Sequence, residues 1–202
     1  MYTRFMNVGI DEVGRGALAG PVYVCAFGTK LSEESLIELF SDKKLRDSKK
    51  LSATGREKMF EKLSLLRKKG KVLWSIGTSS AKEIDTYGIT KAIESAVVAA
   101  TFGMKRTWKI HLDGGLRAPK RFTKQMTIIR GDEHVAVIAC ASIVAKVSRD
   151  KYMRTLAKKY KGYGLEHHVG YGTKKHQEAL HTLGKTSEHR SSFLKKIFEE
   201  KP

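Results

Sequence analysis

The chain has 202 residues, 41% of them hydrophobic and 30% charged, which is enough apolar material for a sizeable core. Its 39 Lys and Arg against 21 Asp and Glu give a formal charge of +18, an excess that points to a polyanionic partner. The composition excludes long-range disorder, and the longest uncharged apolar run, Val135 to Ala145, is too short to cross a bilayer. Arg4, Asp11, Glu12 and Arg15 interrupt the N-terminus where a signal peptide would need an apolar stretch. Cys25 and Cys140 both sit in apolar stretches, as buried free thiols in a reducing compartment do, so a cytoplasmic location without a membrane partner is expected.

Met6 to Asp11 reads as a strand entering the turn Gly14-Arg15-Gly16, and Pro21 to Phe27 as a returning strand. Helical spacing follows over Glu33 to Phe40 and Ala53 to Lys69. In the second of these Met59, Phe60, Leu63 and Leu66 share a face, Ser52 is placed to cap the start, and Gly70 to end it. Val72 to Ser79 reads as a third strand, and Ile89 to Phe102 as a helix with a small-residue face of Ala92, Ala96 and Ala99-Ala100. Trp108 to Leu112 is a fourth strand delivering Asp113 to a Gly-Gly turn, and Phe122 to Arg130 a fifth ending at Gly131-Asp132. Val135 to about Tyr160 is a long helix, apolar first and charged after. From Gly162 on, the chain becomes loop and short helix, an appendage too small to bury a core of its own. Short turns early and strand–helix alternation later predict a mixed α/β sheet flanked by helices.

In so basic a chain the placement of acids is informative. Asp11 and Glu12 end the first strand, Asp113 ends the fourth and Asp132 follows the fifth, each near a glycine. Carboxylates suit hard cations such as Mg²⁺ and Mn²⁺, and phosphodiester hydrolysis commonly uses two such ions. A basic surface around an acidic pocket is what a metal-dependent nuclease requires. Neighbouring strand residues point to opposite faces, so Asp11 and Glu12 serve one site only if the strand ends or bulges there. A different reading of Asp132 makes it a cap for the following helix. His111, two residues before Asp113, shares its face on a regular strand and is placed at the rim of the site. The run of His167, His168, His176 and His181 has no cysteine partners and matches no closed zinc spacing.

Gly9-Ile10-Asp11-Glu12-Val13-Gly14-Arg15-Gly16 with Leu18-Ala19-Gly20-Pro21-Val22 resembles the opening signature of ribonuclease HII, a bacterial type 2 ribonuclease H. Asp47-Ser48-Lys49-Lys50-Leu51-Ser52, Leu112-Asp113-Gly114, Gly131-Asp132 and the block Ala141 to Asp150 follow in the family's order. Gly170-Tyr171-Gly172-Thr173 and His189-Arg190-Ser191-Ser192-Phe193 resemble its C-terminal pair. A related type usually carries Lys in the middle of the glycine loop, where this chain has Arg15.

The resemblance implies one RNase H-like catalytic domain over residues 1–202, with a C-terminal helical segment from about 163. It implies an endonuclease that cuts RNA in RNA/DNA hybrids and 5′ of single ribonucleotides in duplex DNA, leaving 3′-hydroxyl and 5′-phosphate ends. Two Mg²⁺ or Mn²⁺ ions would be held by Asp11, Glu12, Asp113 and Asp132. Gly14, Arg15 and Gly16 would sense the ribose 2′-hydroxyl, Tyr171 would stack on the following deoxyribose, and Lys49 and Lys146 would meet phosphates. Asp150 is read as a helix-surface or supporting residue. Val169 stands where the family commonly has a basic residue. A monomer is expected, and the C-terminal Phe198-Glu199-Glu200-Lys201-Pro202 carries no clear clamp-binding motif, which leaves a sliding-clamp partner unproven. The rival function is a basic nucleic-acid-binding protein without catalysis. It shares the charge but gains nothing from gathering four acids against its own ligand.

Overall fold

The computed structural model describes residues 6–39 and 52–199. Asp47 to Leu51, and Lys49 with them, lie outside the described residues. Five strands, β1 (Asn7–Val13), β2 (Val22–Thr29), β3 (Val72–Ser79), β4 (Lys109–Asp113) and β5 (Gln125–Ile128), form one sheet in the order β3-β2-β1-β4-β5. β1 to β3 are an antiparallel meander, whereas β4 and β5 run parallel to β1, so the sheet is mixed as expected.

Strand alternation sorts the side chains into two layers. Val8, Ile10, Val22, Val24, Ala26, Ile110 and Leu112 face a core closed by α3 (Ala81–Tyr87) and α4 (Ile89–Ala100). Cys25 and Phe27 face the other way, toward α1 (Glu33–Leu39), α2 (Ala53–Lys68) and the long α6 (Ala136–Lys159). Both cysteines are free and buried there. Gly9 is what lets α6 lie directly on β1: a Cβ at that position would sit 2.2 Å from the Val137 carbonyl carbon. Asp11, two residues along the same face, is thereby brought against α6.

A third cluster joins Leu18 and Ala19 to Met153 and Leu156 of α6 and to Tyr163, Leu165, Leu180 and Leu194. These last residues belong to the C-terminal segment, with α7 (Leu165–His168), α8 (Lys174–Leu183) and α9 (Ser191–Glu199).

Several expectations are corrected. Strand β5 spans four residues, because Phe122 closes a turn on the Pro119 carbonyl, and Trp108 likewise closes a turn on Lys105 before β4 begins. Helix α4 ends at Ala100, and Ala99 is exposed while Ala92, Ala96 and Ala100 are buried. Helix α3 comes in addition, capped reciprocally by Ser80 and Glu83. The second half of α6 is not simply a charged face, since Arg149 is fully buried in it.

Candidate active site

The ladder between β1 and β4 ends at Ile10 opposite Leu112. Past that point β1 continues only with β2, as far as Val13, and β4 only with β5. The sheet therefore opens at the carboxyl ends of two adjacent parallel strands, where open α/β sheets place their ligands. Asp11, Glu12 and Asp113 occupy that opening. With Gly14, Arg15, Gly16, Arg56, Ser142, Ile143, Lys146 and Tyr171 they line a hollow of about 350 Å³. Both members of the Asp11-Glu12 pair reach it because the strand has lost one neighbour. No bulge is needed.

Each carboxylate is held locally. Asp11 is 5% exposed. Its Oδ1 accepts the Glu12 N–H at 2.7 Å, and Ser142 on α6 also hydrogen-bonds the carboxylate. Burial pushes the Asp11 carboxyl up to about 8; the Ser142 bond opposes this, and the charges of Asp113 and Glu12 add to it. Burial also raises Glu12, against the pull of Arg15, whose guanidinium lies 3.4 Å from Glu12 Oε1. Asp113 Oδ1 accepts the Gly131 N–H at 2.6 Å and the Asp132 N–H at 3.4 Å, tying β4 to α5 (Gly131–His134).

Asp132 itself is fully buried and is not among the residues lining the hollow. It meets Asp113 through its backbone. It does not cap the long helix: Val135 occupies that position, and Glu33 Oε1 accepts the Ala136 N–H at 3.1 Å from α1. As the side chains stand, no three His, Cys, Asp or Glu groups among the described residues form a set that would hold a metal ion.

Lys146 points into the hollow, bonded to Asp150 at 2.9 Å, and stands 5.8 Å from the centre of the Tyr171 ring. Asp150 is thus a partner of Lys146 rather than part of the acidic opening. His111 is not at the rim. It shares a separate hollow with Asn7, Glu33, Lys109 and Val137, because its place on β4 lies under the start of α6. Sequence reasoning passed over Ser142, although it lies inside the Ala141 to Asp150 block; a small polar residue in an otherwise apolar helical run was the available signal.

A family description, Ribonuclease HII, matches residues 8–201. A ribonuclease HII of Prochlorococcus marinus is 43% identical over 194 residues, covering 96% of this chain and 98% of the relative. Among solved structures, ribonuclease H2 from Pyrococcus horikoshii OT3 superposes with a TM-score of 0.73 at 27% identity, over 96% of this chain and 97% of that one. Bst-RNase HIII in complex with Mn²⁺ shares the fold, with a TM-score of 0.68 at 14% identity over 97% of this chain and 70% of that one. The fold and these matches define a ribonuclease H, an endonuclease acting on RNA/DNA substrates. Within that class, the chain belongs to the ribonuclease HII family. Among the described residues, no helix is long and apolar enough to cross a membrane.

Proposed function

We propose that this ribonuclease H cuts 5′ of single ribonucleotides embedded in duplex DNA as well as within longer hybrids, with Asp11, Glu12, Asp113 and Asp132 as its metal-binding carboxylates. The observation that carries the reading is the shared hollow: three of the four acids, the glycine loop, Lys146 and Tyr171 all line it.

The donor set fits Mg²⁺ or Mn²⁺. It consists of carboxylate oxygens with no thiolate or imidazole among the lining residues. Crowding of Asp11, Glu12 and Asp113 in a buried opening is what a divalent cation relieves. In the present arrangement one oxygen of Asp11 and one of Asp113 accept backbone N–H groups, and a cation would be held by these two carboxylates together with Glu12 and Asp132. The chemistry that two such ions supply when bound is activation of water for in-line attack and stabilisation of the departing 3′-oxygen.

The remaining residues bind and orient. Gly16 has open space where a Cβ would project, so the fold does not require glycine there. A bare backbone that can approach a ribose and offer N–H and C=O groups to its 2′-hydroxyl does. Tyr171, half-buried and lining the hollow, offers its ring to the following sugar, where a missing 2′-hydroxyl allows close stacking. Lys146 meets a backbone phosphate, which positions the duplex without reading bases; Lys49 is proposed for the same role. The helices from about residue 163 act with the rest as one catalytic domain, since Tyr171 reaches the hollow from among them. The protein works as a cytoplasmic monomer.

The deciding experiment cuts two end-labelled duplexes in Mg²⁺ and in Mn²⁺, one DNA with a lone ribonucleotide and one long RNA/DNA hybrid. A single cut 5′ of the lone ribonucleotide is expected, together with loss of all cleavage in Asp132→Asn with duplex binding kept. Cutting of the hybrid alone would remove the junction-reading roles of Gly16 and Tyr171.

A further inference from the structure

We infer that Arg149 and Arg190 are positioning residues for substrate selection, a buried pair that fixes the glycine loop against the loop carrying Tyr171. The inference rests on the junction reading proposed above.

Both side chains are fully buried. Their hydrogen bonds run to backbone carbonyls. Arg149 donates from Nε to Pro21 at 2.9 Å, from Nη1 to Val169 at 2.8 Å and from Nη2 to Ala19 at 3.0 Å. Arg190 donates from Nε and Nη2 to Gly20 and from Nη1 to Arg15 at 2.9 Å. Burial, then the neighbouring Arg149 charge, pushes Arg190 down to about 9, which leaves it a cation at neutral pH. Burying two like charges side by side is a poor way to gain stability, which apolar residues would supply more cheaply. What the pair does supply is geometry, because the guanidinium is a rigid fork that can hold several carbonyls at fixed angles.

The carbonyls it holds belong to the two proposed readers. Arg15, Ala19, Gly20 and Pro21 lie in and just after the glycine loop, while Val169 leads into Tyr171. Leu18 and Ala19 also donate their N–H groups to the Gly170 carbonyl, at 2.8 and 3.2 Å. A Cβ at Gly170 would meet the Ala19 carbonyl oxygen at 2.4 Å, so the two loops are in direct contact. Val169 has φ of 46°, a left-handed conformation that a β-branched residue resists. Its carbonyl is the one Arg149 grips. The same guanidinium stands 5.6 Å from the centre of the Tyr171 ring.

A nuclease that recognises a 2′-hydroxyl on one nucleotide and its absence on the next must hold its two readers at a fixed separation. A long hybrid makes no such demand, since it offers no deoxyribose in the cut strand. Loosening the clamp therefore costs junction cleavage first.

The test compares Arg149→Lys, Arg190→Lys and Val169→Gly with the natural chain on both duplexes, with circular dichroism as the folding check. Each Lys variant should lower the ratio of junction to hybrid cleavage by roughly tenfold or more. Val169→Gly keeps the left-handed backbone without strain and so folds; freeing the loop, it should lower the ratio by about threefold. If both Lys variants fail to fold, the Val169→Gly ratio decides alone. An unchanged ratio in the folded variants overturns the inference and leaves the junction reading standing. Failure of the natural chain to cut at a lone ribonucleotide overturns the junction reading, and the inference with it.

Discussion

The Arg149 guanidinium fills the space that a side chain on Gly14 would occupy. A Cβ at Gly14 would lie 2.2 Å from Arg149 Nε, and Gly14 has φ of +89°, so its glycine is required by the fold. Gly16, two residues on, has no heavy atom within 4 Å of the same construction. The two glycines of one motif therefore answer to different constraints, and alanine separates them. Gly14→Ala should destabilise by roughly 2–4 kcal/mol, through backbone strain and a clash with a buried cation. Gly16→Ala should leave stability within about 0.5 kcal/mol while cleavage falls, because the new methyl meets only substrate. Urea unfolding paired with cleavage rates checks both. A Gly16→Ala enzyme of full activity would show that the backbone there does not approach the sugar.

Asp11 illustrates a site held at a cost to stability. Its carboxylate is buried beside two other acids, and burial pushes its carboxyl up to about 8. Asp11→Asn keeps an oxygen to accept the Glu12 N–H and is neutral without a proton, whereas the buried Asp11 carboxyl must take one up as the chain folds at neutral pH. In EDTA at neutral pH the variant should be more stable than the natural chain by roughly 1–2 kcal/mol. Added Mg²⁺ should raise the melting temperature of the natural chain and leave that of the variant unmoved. An equal Mg²⁺ response in both would place the ion elsewhere.

Much of this was legible in the sequence, and the exceptions have physical causes. The three carboxylates of the hollow and the loops around it sit in contiguous motifs, each bounded by glycine, so their order along the chain announced them. The mixed sheet followed from short early turns and later strand–helix alternation. Arg149 was hidden because a charged residue in a charged-looking half-helix reads as surface. Its spacing shows otherwise, since Ala145, Arg149, Met153 and Leu156 form one buried stripe at helical intervals. Ser80 and Glu83 likewise spelled a capping box ahead of α3 that periodicity alone overlooked, the helix being only seven residues long. His111 was misplaced because strand alternation gives a face, not a position along it.

Lys146 stands between two partners, and salt separates them. It bonds Asp150 at 2.9 Å while lining the hollow. If it neutralises a phosphate, Lys146→Ala should weaken duplex binding about tenfold at low salt and make the slope of log affinity against log salt shallower by roughly 0.9. Titration of a labelled duplex, in an Asp11→Asn background to prevent cutting, gives the slope. An unaltered slope would mean that Lys146 serves Asp150 and the helix instead. The natural chain, with its charge of +18, should itself show a steep slope.

The histidines of the C-terminal segment predict an acid limit to stability. The Thr186 N–H donates to His189 Nδ1 at 3.0 Å, so the His189 proton sits on Nε2. That proton points to His176 Nε2 at 3.1 Å, and His176 Nδ1–H donates to the Tyr171 carbonyl at 2.9 Å. The chain of bonds works only with both rings neutral. Burial pushes His189 down to about 4, and the neighbouring His176 and His168 add to it; His176 is lowered in the same direction. Above pH 6.5 neither the folded nor the unfolded chain binds the His189 proton, and its titration costs nothing. As pH falls below 6.5 the unfolded chain takes up a proton that the folded chain refuses, so stability is lost. The loss should reach about 2 kcal/mol at pH 5 and about 3 kcal/mol near pH 4, where the folded group also titrates. Urea unfolding at pH 7 and pH 5 measures it, with His189→Gln as the comparison. The variant starts less stable at pH 7 but should lose about 2 kcal/mol less on the way to pH 5. Parallel losses in the two proteins would assign the acid sensitivity to other groups.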